Sequence, residues 1–155
     1  MVRLTIVILL ATIAIATARS VEKETQPLSV KISTVEDINL FRAQNPTEVL
    51  TPLKRVDTKN IIYYTVGNRV SGDALVATAS DSQQWSSAQN VQLLLQYPRS
   101  GQGAVVTYAI VTVDQSSSLG EAYIVSGGVG KRNIAIVVEA RSTTYFRYAA
   151  QVYGL

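Results

Sequence analysis

Residues 145–153 read YFRYAAQVY. Phe146, Tyr148, Ala150 and Val152 fall on one side of a two-residue period, and Arg147, Ala149 and Gln151 on the other. Successive side chains of a strand point to opposite faces, so this alternation predicts a half-buried β-strand. Upstream, the same β-type signal recurs in short runs rich in β-branched and aromatic residues: Ile61–Val66, Asp73–Ala79, Val91–Tyr97, Ala104–Val113, Ala122–Val125 and Ile134–Ala140. Turn residues separate them, including Gly67-Asn68, Ser71-Gly72 and the Arg99–Gly103 stretch. A polar loop is expected over Ser80–Asn90, which holds the only tryptophan, Trp85. About seven strands with no helical period between them predict an all-β domain, a single antiparallel β-sandwich or barrel-like fold spanning residues 61–155.

Before Ile61 the composition changes. Arg19–Asn60 is polar, carries Pro27, Pro46 and Pro52, and reads as an arm that is partly flexible or laid over the domain. A short helix over Val35–Ala43 would end ahead of Asn45-Pro46, because the residue before proline disfavours helical geometry. The first 18 residues have another character. Arg3 is followed by Leu4–Ala18 without a charge, and Ala16-Thr17-Ala18 has the small-x-small form of a cleavage site. Fifteen residues span roughly 22 Å as a helix, short of a roughly 30 Å bilayer core. The layout predicts a secretory signal peptide over residues 1–18, cut between Ala18 and Arg19. A secreted chain without membrane attachment after cleavage is then expected.

The 155-residue chain has no cysteine and no histidine. Disulfides, Ser-His and Cys-His catalysis and histidine-based zinc sites are thereby excluded. Its 14 basic and 11 acidic residues give a net charge of +3, and the basic residues are scattered. Nucleic-acid binding needs a clustered basic face, so no direct nucleic-acid partner is expected. Asn45-Pro46-Thr47 is not a glycosylation acceptor, because proline occupies its middle position.

Residues 126–133, SGGVGKRN, resemble a phosphate cradle at first sight. With Lys131 as the P-loop lysine, the first glycine would fall on Val125 and the hydroxyl residue on Arg132, and a strand rather than a helix follows. The octet is better read as a hairpin connection in which glycine supplies positive φ. A residual reading is an anion-binding nest of Gly127, Gly128 and Gly130 with the charges of Lys131 and Arg132. Asp73 and Asp81 lack the spacing of a calcium loop. Ser116-Ser117-Ser118 has no base to activate it, and Asp114 and Glu121 read as solvated loop charges. The eight tyrosines read mainly as half-buried strand residues with a wet hydroxyl. No catalytic residue, metal ligand or cofactor is expected, and the chain reads as a non-enzymatic protein that binds a protein or a small ligand.

Taken in order, several of these pieces resemble the insect multiprotein bridging factor 2 family. They are Gly67-Asn68-Arg69-Val70-Ser71-Gly72-Asp73-Ala74-Leu75-Val76, Tyr97-Pro98, Ile110–Val113 with Asp114-Gln115, Val125–Gly130, and Phe146, Tyr148 and Val152-Tyr153-Gly154. The resemblance covers about Ile61 to Leu155. It implies one of two roles. Many similar insect proteins look like secreted salivary or haemolymph proteins, which agrees with the leader read above. The family name implies instead a nuclear coactivator that joins a sequence-specific activator to the general transcription machinery without touching DNA. The resemblance brings no catalytic residues.

Overall fold

The computed structural model describes residues 27–36, 39–46, 50–59 and 61–155. The expected leader and the expected cleavage pair, Ala18 and Arg19, lie outside the described residues. The elements in chain order are β1 (Ser29–Thr34), α1 (Leu40–Gln44), β2 (Thr51–Pro52), β3 (Lys54–Thr58), β4 (Ile61–Gly67), β5 (Ala74–Tyr97), β6 (Val106–Gln115), β7 (Gly120–Gly127) and β8 (Ile134–Gly154). With 68% strand and 3% helix, the all-β expectation holds.

All eight strands belong to one antiparallel sheet, which is not closed into a barrel. The main order is β1-β5-β8-β6-β4-β3; β7 adds to β8, and β2 to β7. Two long strands make this possible. Residues 134–140 of β8 lie between residues 91–97 of β5 and strand β7, and residues 145–154 lie between the start of β5 and β6. The two runs read separately in the sequence, Ile134–Ala140 and Tyr145–Tyr153, are thus one strand.

The polar stretch Ser80–Asn90 is not a loop. It continues β5, with Ser80 opposite Ala149 and Gln84 opposite Tyr145, and the register slips between Gln84 and Gln89 and again before Val91. Backbone pairing with β8 holds Ser80–Gln84 and Gln89 whatever their side chains. Among the described residues the first half of β5 pairs with β8 alone, at an edge of the sheet, where polar side chains are the normal dressing. Trp85 is half-buried against the core.

The alternation in residues 145–153 runs as expected. Phe146, Tyr148, Ala150 and Val152 are buried, while Arg147, Ala149 and Gln151 are exposed. They join Val111 and Val113 of β6, Leu93 and Leu95 of β5, and Ile136 and Val138 of β8 in one core. Each such side chain stabilises the fold by about 1.5–3 kcal/mol when fully buried, so the core substitutes for the missing disulfides.

The arm before Ile61 is more structured than its composition suggests. β1 pairs with residues 91–96 of β5, and β3 pairs with β4. Helix α1 ends as expected ahead of Pro46. The Asn45 side-chain amide and backbone N–H both donate to the Phe41 carbonyl, at 2.8 and 3.0 Å. α1 lies against β7, with the Phe41 and Tyr123 ring centroids 6.0 Å apart.

Candidate functional site

The Gly-rich octet is the β7–β8 connection, with Gly127 opposite Ile134. Gly127, Gly128 and Gly130 have φ of 66, 133 and 80°, as a tight turn requires. The N–H groups of Gly128, Gly130 and Lys131 donate to the carbonyls of Asn133, Val106 and Gly128 at 2.9, 2.8 and 3.1 Å. The Val106 N–H returns a bond to the Lys131 carbonyl at 2.8 Å, and Arg132 Nη1 donates to the Gly103 carbonyl at 3.1 Å. Three amides of the nest are therefore committed inside the protein. The loop clasps residues 103–106.

The serine loop is structural in the same sense. Ser116 Oγ accepts from the Thr144 N–H at 2.8 Å, and Ser117 Oγ donates to the Arg141 carbonyl. Asp114 and Glu121 are not brought together. Asp114 meets Arg147 at 3.2 Å and Tyr145 at 3.1 Å, whereas Glu121 meets Arg42 at 2.8 Å. Asp73 accepts from Arg69, the Val70 N–H and the Thr107 hydroxyl; these bonds, Arg69 above all, hold its carboxyl down at about 2. Asp81 caps the N–H of Ser82 at 2.7 Å. Among the described residues no cluster of acidic side chains could hold a metal ion, and no helix is long and apolar enough to cross a membrane.

A pocket of about 520 Å³ lies elsewhere. β2 and β3 follow each other with only Leu53 between them, and one pairs with β7 while the other pairs with β4. This stretch of chain therefore straps the two edges together, and the pocket lies at the seam. Pro52 ends β2 at a sheet edge, where a missing N–H costs least. Leu53 then donates to the Ala122 carbonyl at 2.9 Å.

Arg55 holds the seam from above. It sits opposite Tyr64, grips the Asp57 carboxylate through Nε and Nη2 at 2.7 and 2.9 Å, and donates to the carbonyls of Gly120 and Ser118. The guanidinium in turn holds the Asp57 carboxyl below its ordinary range. Arg42, on α1, pairs with Glu121 and lies 5.3 Å from the centre of the Tyr123 ring. Beneath them is a buried acid. Tyr123 donates its hydroxyl to Glu139, which is 2% exposed. Burial raises the Glu139 carboxyl above its ordinary value, although the Tyr123 bond pulls the other way. Burial, then the bond to Glu139, also pushes the Tyr123 hydroxyl up.

Tyr64 is the exception in this network. It lines the pocket and is 1% exposed, yet its hydroxyl has no hydrogen-bond partner. Burial pushes it up to about 12, so it stays a phenol at neutral pH. Chemically, the seam offers two neutralised Arg–carboxylate pairs, apolar walls and one spare hydroxyl. The reading of the tyrosines as strand residues covers Tyr64 and Tyr123, but their hydroxyls are buried. The sequence reading missed Glu139, whose signal was available: it is the only charge in the run Ile134–Ala140.

The family model described as Transcription activator MBF2 matches residues 66–154, more than half of the chain. It takes in all of β5 to β8. The pocket floor at Gly120–Tyr123 lies inside the match, and Arg42, Leu53, Arg55 and Tyr64 lie outside it. No curated protein and no solved structure matches the chain. The ordered motifs from Gly67 to Gly154 and the family match agree, and the chain belongs to the MBF2 family.

Proposed function

We infer that the protein works without catalysis, by binding another protein, as a coactivator that joins a sequence-specific activator to the general transcription machinery. The observation that carries this reading is the match of residues 66–154 to a family described as a transcription activator. The scattered basic residues favour contact with proteins over contact with DNA. The absence of histidine and cysteine favours binding over catalysis. Val56 on β3 and Ile61 on β4, 45% and 36% exposed, offer apolar surface for such contact.

A second reading, a secreted binding protein, is supported by the uncharged run Leu4–Ala18 and the small-x-small site before Arg19. Both readings share the binding role and differ in compartment. Expression of the full chain in insect cells with a C-terminal tag separates them, by fractionating nuclei and medium and sequencing the N-terminus by mass spectrometry. The coactivator reading expects a nuclear chain that keeps residues 1–18. Recovery from the medium with Arg19 at the N-terminus overturns it in favour of secretion.

A further inference from the structure

The seam pocket has properties that protein docking does not use. Its volume, about 520 Å³, lies within the roughly 300–1,000 Å³ of small-molecule sites. Leu50, Pro52, Leu53, Ala122 and the Tyr123 ring give it apolar walls. Its two cations bring no free charge, because Arg42 faces Glu121 at 2.8 Å and Arg55 faces Asp57 at 2.7 Å. Arg55 has further donors committed to the carbonyls of Gly120 and Ser118. What is left over is the Tyr64 hydroxyl, buried and unpaired. Buried hydroxyls without a partner are uncommon because they have given up water for nothing. The hydroxyl lies almost wholly buried in the pocket wall, so a ligand atom reaches it on a small side-chain shift, and accepting from it would remove that cost.

We propose that the seam pocket binds a neutral, mainly apolar small molecule carrying one hydrogen-bond-accepting oxygen, which Tyr64 Oη recognises. Ketones, esters and ethers of medium chain length have this chemistry. A carboxylate would have to displace Glu121 from Arg42, and an ammonium would meet two arginines. The strap and α1, which form the rim, lie outside residues 66–154, so the ligand preference belongs to this chain's own arm as much as to the family domain. The site is independent of the compartment in which the protein works.

The test is a titration of the ¹⁵N-labelled protein with 2-octanone, octanoate, octyltrimethylammonium and octane, followed by amide shifts. 2-Octanone is expected to bind tightest, with saturable shifts at Leu53 and Gly120–Tyr123. Tyr64→Phe, which removes only the hydroxyl, should weaken it about fivefold, the size of one hydrogen bond. Leu50→Trp fills the pocket from a half-buried position on the strap and should weaken it at least tenfold while the remaining spectrum is unchanged. Tighter binding of octanoate or the ammonium overturns the neutral class. Equal affinity for octane and 2-octanone, unaltered by Tyr64→Phe, overturns the role of the hydroxyl. No saturable shift at Gly120–Tyr123 with any of the four overturns the site.

Discussion

In the β7–β8 loop, three glycines and two cations stand within six residues, and three N–H groups end on carbonyls at 2.8–3.1 Å. At the seam, the working groups come from positions as far apart as Arg42 and Glu139, and one hydroxyl is left without a partner. The loop is conspicuous in sequence and closed in structure; the seam is inconspicuous in sequence and open. Glycine-rich backbone becomes an anion site only if its amides stay unspent, and here the turn and strand β6 spend them. A site assembled from several strands leaves no local motif, yet it can retain spare hydrogen-bonding capacity.

The sharpest way to break this contrast is at the loop. Alanine at Gly127 would place its Cβ 2.1 Å from the Asn133 carbonyl oxygen, at a φ of +66°. Because the obstacle is backbone, the turn must open, and a loss of about 3 kcal/mol or more is expected. Gly130 has φ of +80° but nothing within 4 Å, so Gly130→Ala should cost only about 1 kcal/mol. Urea unfolding of the two variants measures the difference. Equal losses would mean that close packing contributes nothing and that the loop is merely a flexible connector.

The buried acid tests the other side. Glu139→Ala leaves the Tyr123 hydroxyl unpaired and opens a small cavity, so about 2–3 kcal/mol should be lost. Its pH dependence distinguishes a buried proton from a salt bridge. The folded-state carboxyl titrates above its ordinary 4.5, so between the two values the native protein holds a proton that the unfolded chain has released. Stability from this group is therefore complete below about 4.5 and declines as pH rises through the folded value. Relative to Glu139→Gln, the wild-type protein should lose melting temperature as pH rises from acid towards neutral. A constant difference across that range would show that Glu139 is not held protonated.

Asp73, in the turn between β4 and β5, should respond to pH in the opposite sense. Its carboxyl is held at about 2 against an ordinary 3.8 by Arg69, the Val70 N–H and the Thr107 hydroxyl. A depressed value stabilises the native state above the unfolded value and is lost as pH falls through the folded one. Asp73→Asn should melt below the wild-type protein at pH 7, and the gap should shrink below about 3.8 and vanish near 2. A gap that persists at pH 2 would place the contribution in geometry rather than charge.

The residues legible in advance were those whose role is set by neighbours along the chain. Phe146 to Val152 show their faces through alternation, and Gly127-Gly128 show their turn through positive φ. Ser80–Asn90 was misread because its polarity reflects an edge strand, and edges are a property of the assembled sheet. The seam was hidden for a related reason: Arg55 meets Gly120 and Tyr123 meets Glu139 only through strand order and register, and Arg42 meets Glu121 only where α1 lies against β7. A single acid in an apolar run hints that a partner exists, but its position in sequence does not name Tyr123.

The smallest expected effect is at Lys131. Its backbone is occupied, donating to the Gly128 carbonyl and accepting from the Val106 N–H, and alanine preserves both bonds. Its side chain is exposed. Lys131→Ala should therefore change stability by less than about 0.5 kcal/mol, as surface substitutions usually do. Titration with inorganic phosphate should leave the amide signals of residues 128–132 without a saturable shift, in the variant and the wild type alike. The amides of Gly128, Gly130 and Lys131 are held at distances typical of sound hydrogen bonds, and an incoming anion would have to break bonds to Asn133 and Val106 before making its own. A saturable phosphate shift in the wild type that Lys131→Ala abolishes would show that the loop opens to take an anion, and the contrast between a closed loop and an open seam would then fail on the loop's side.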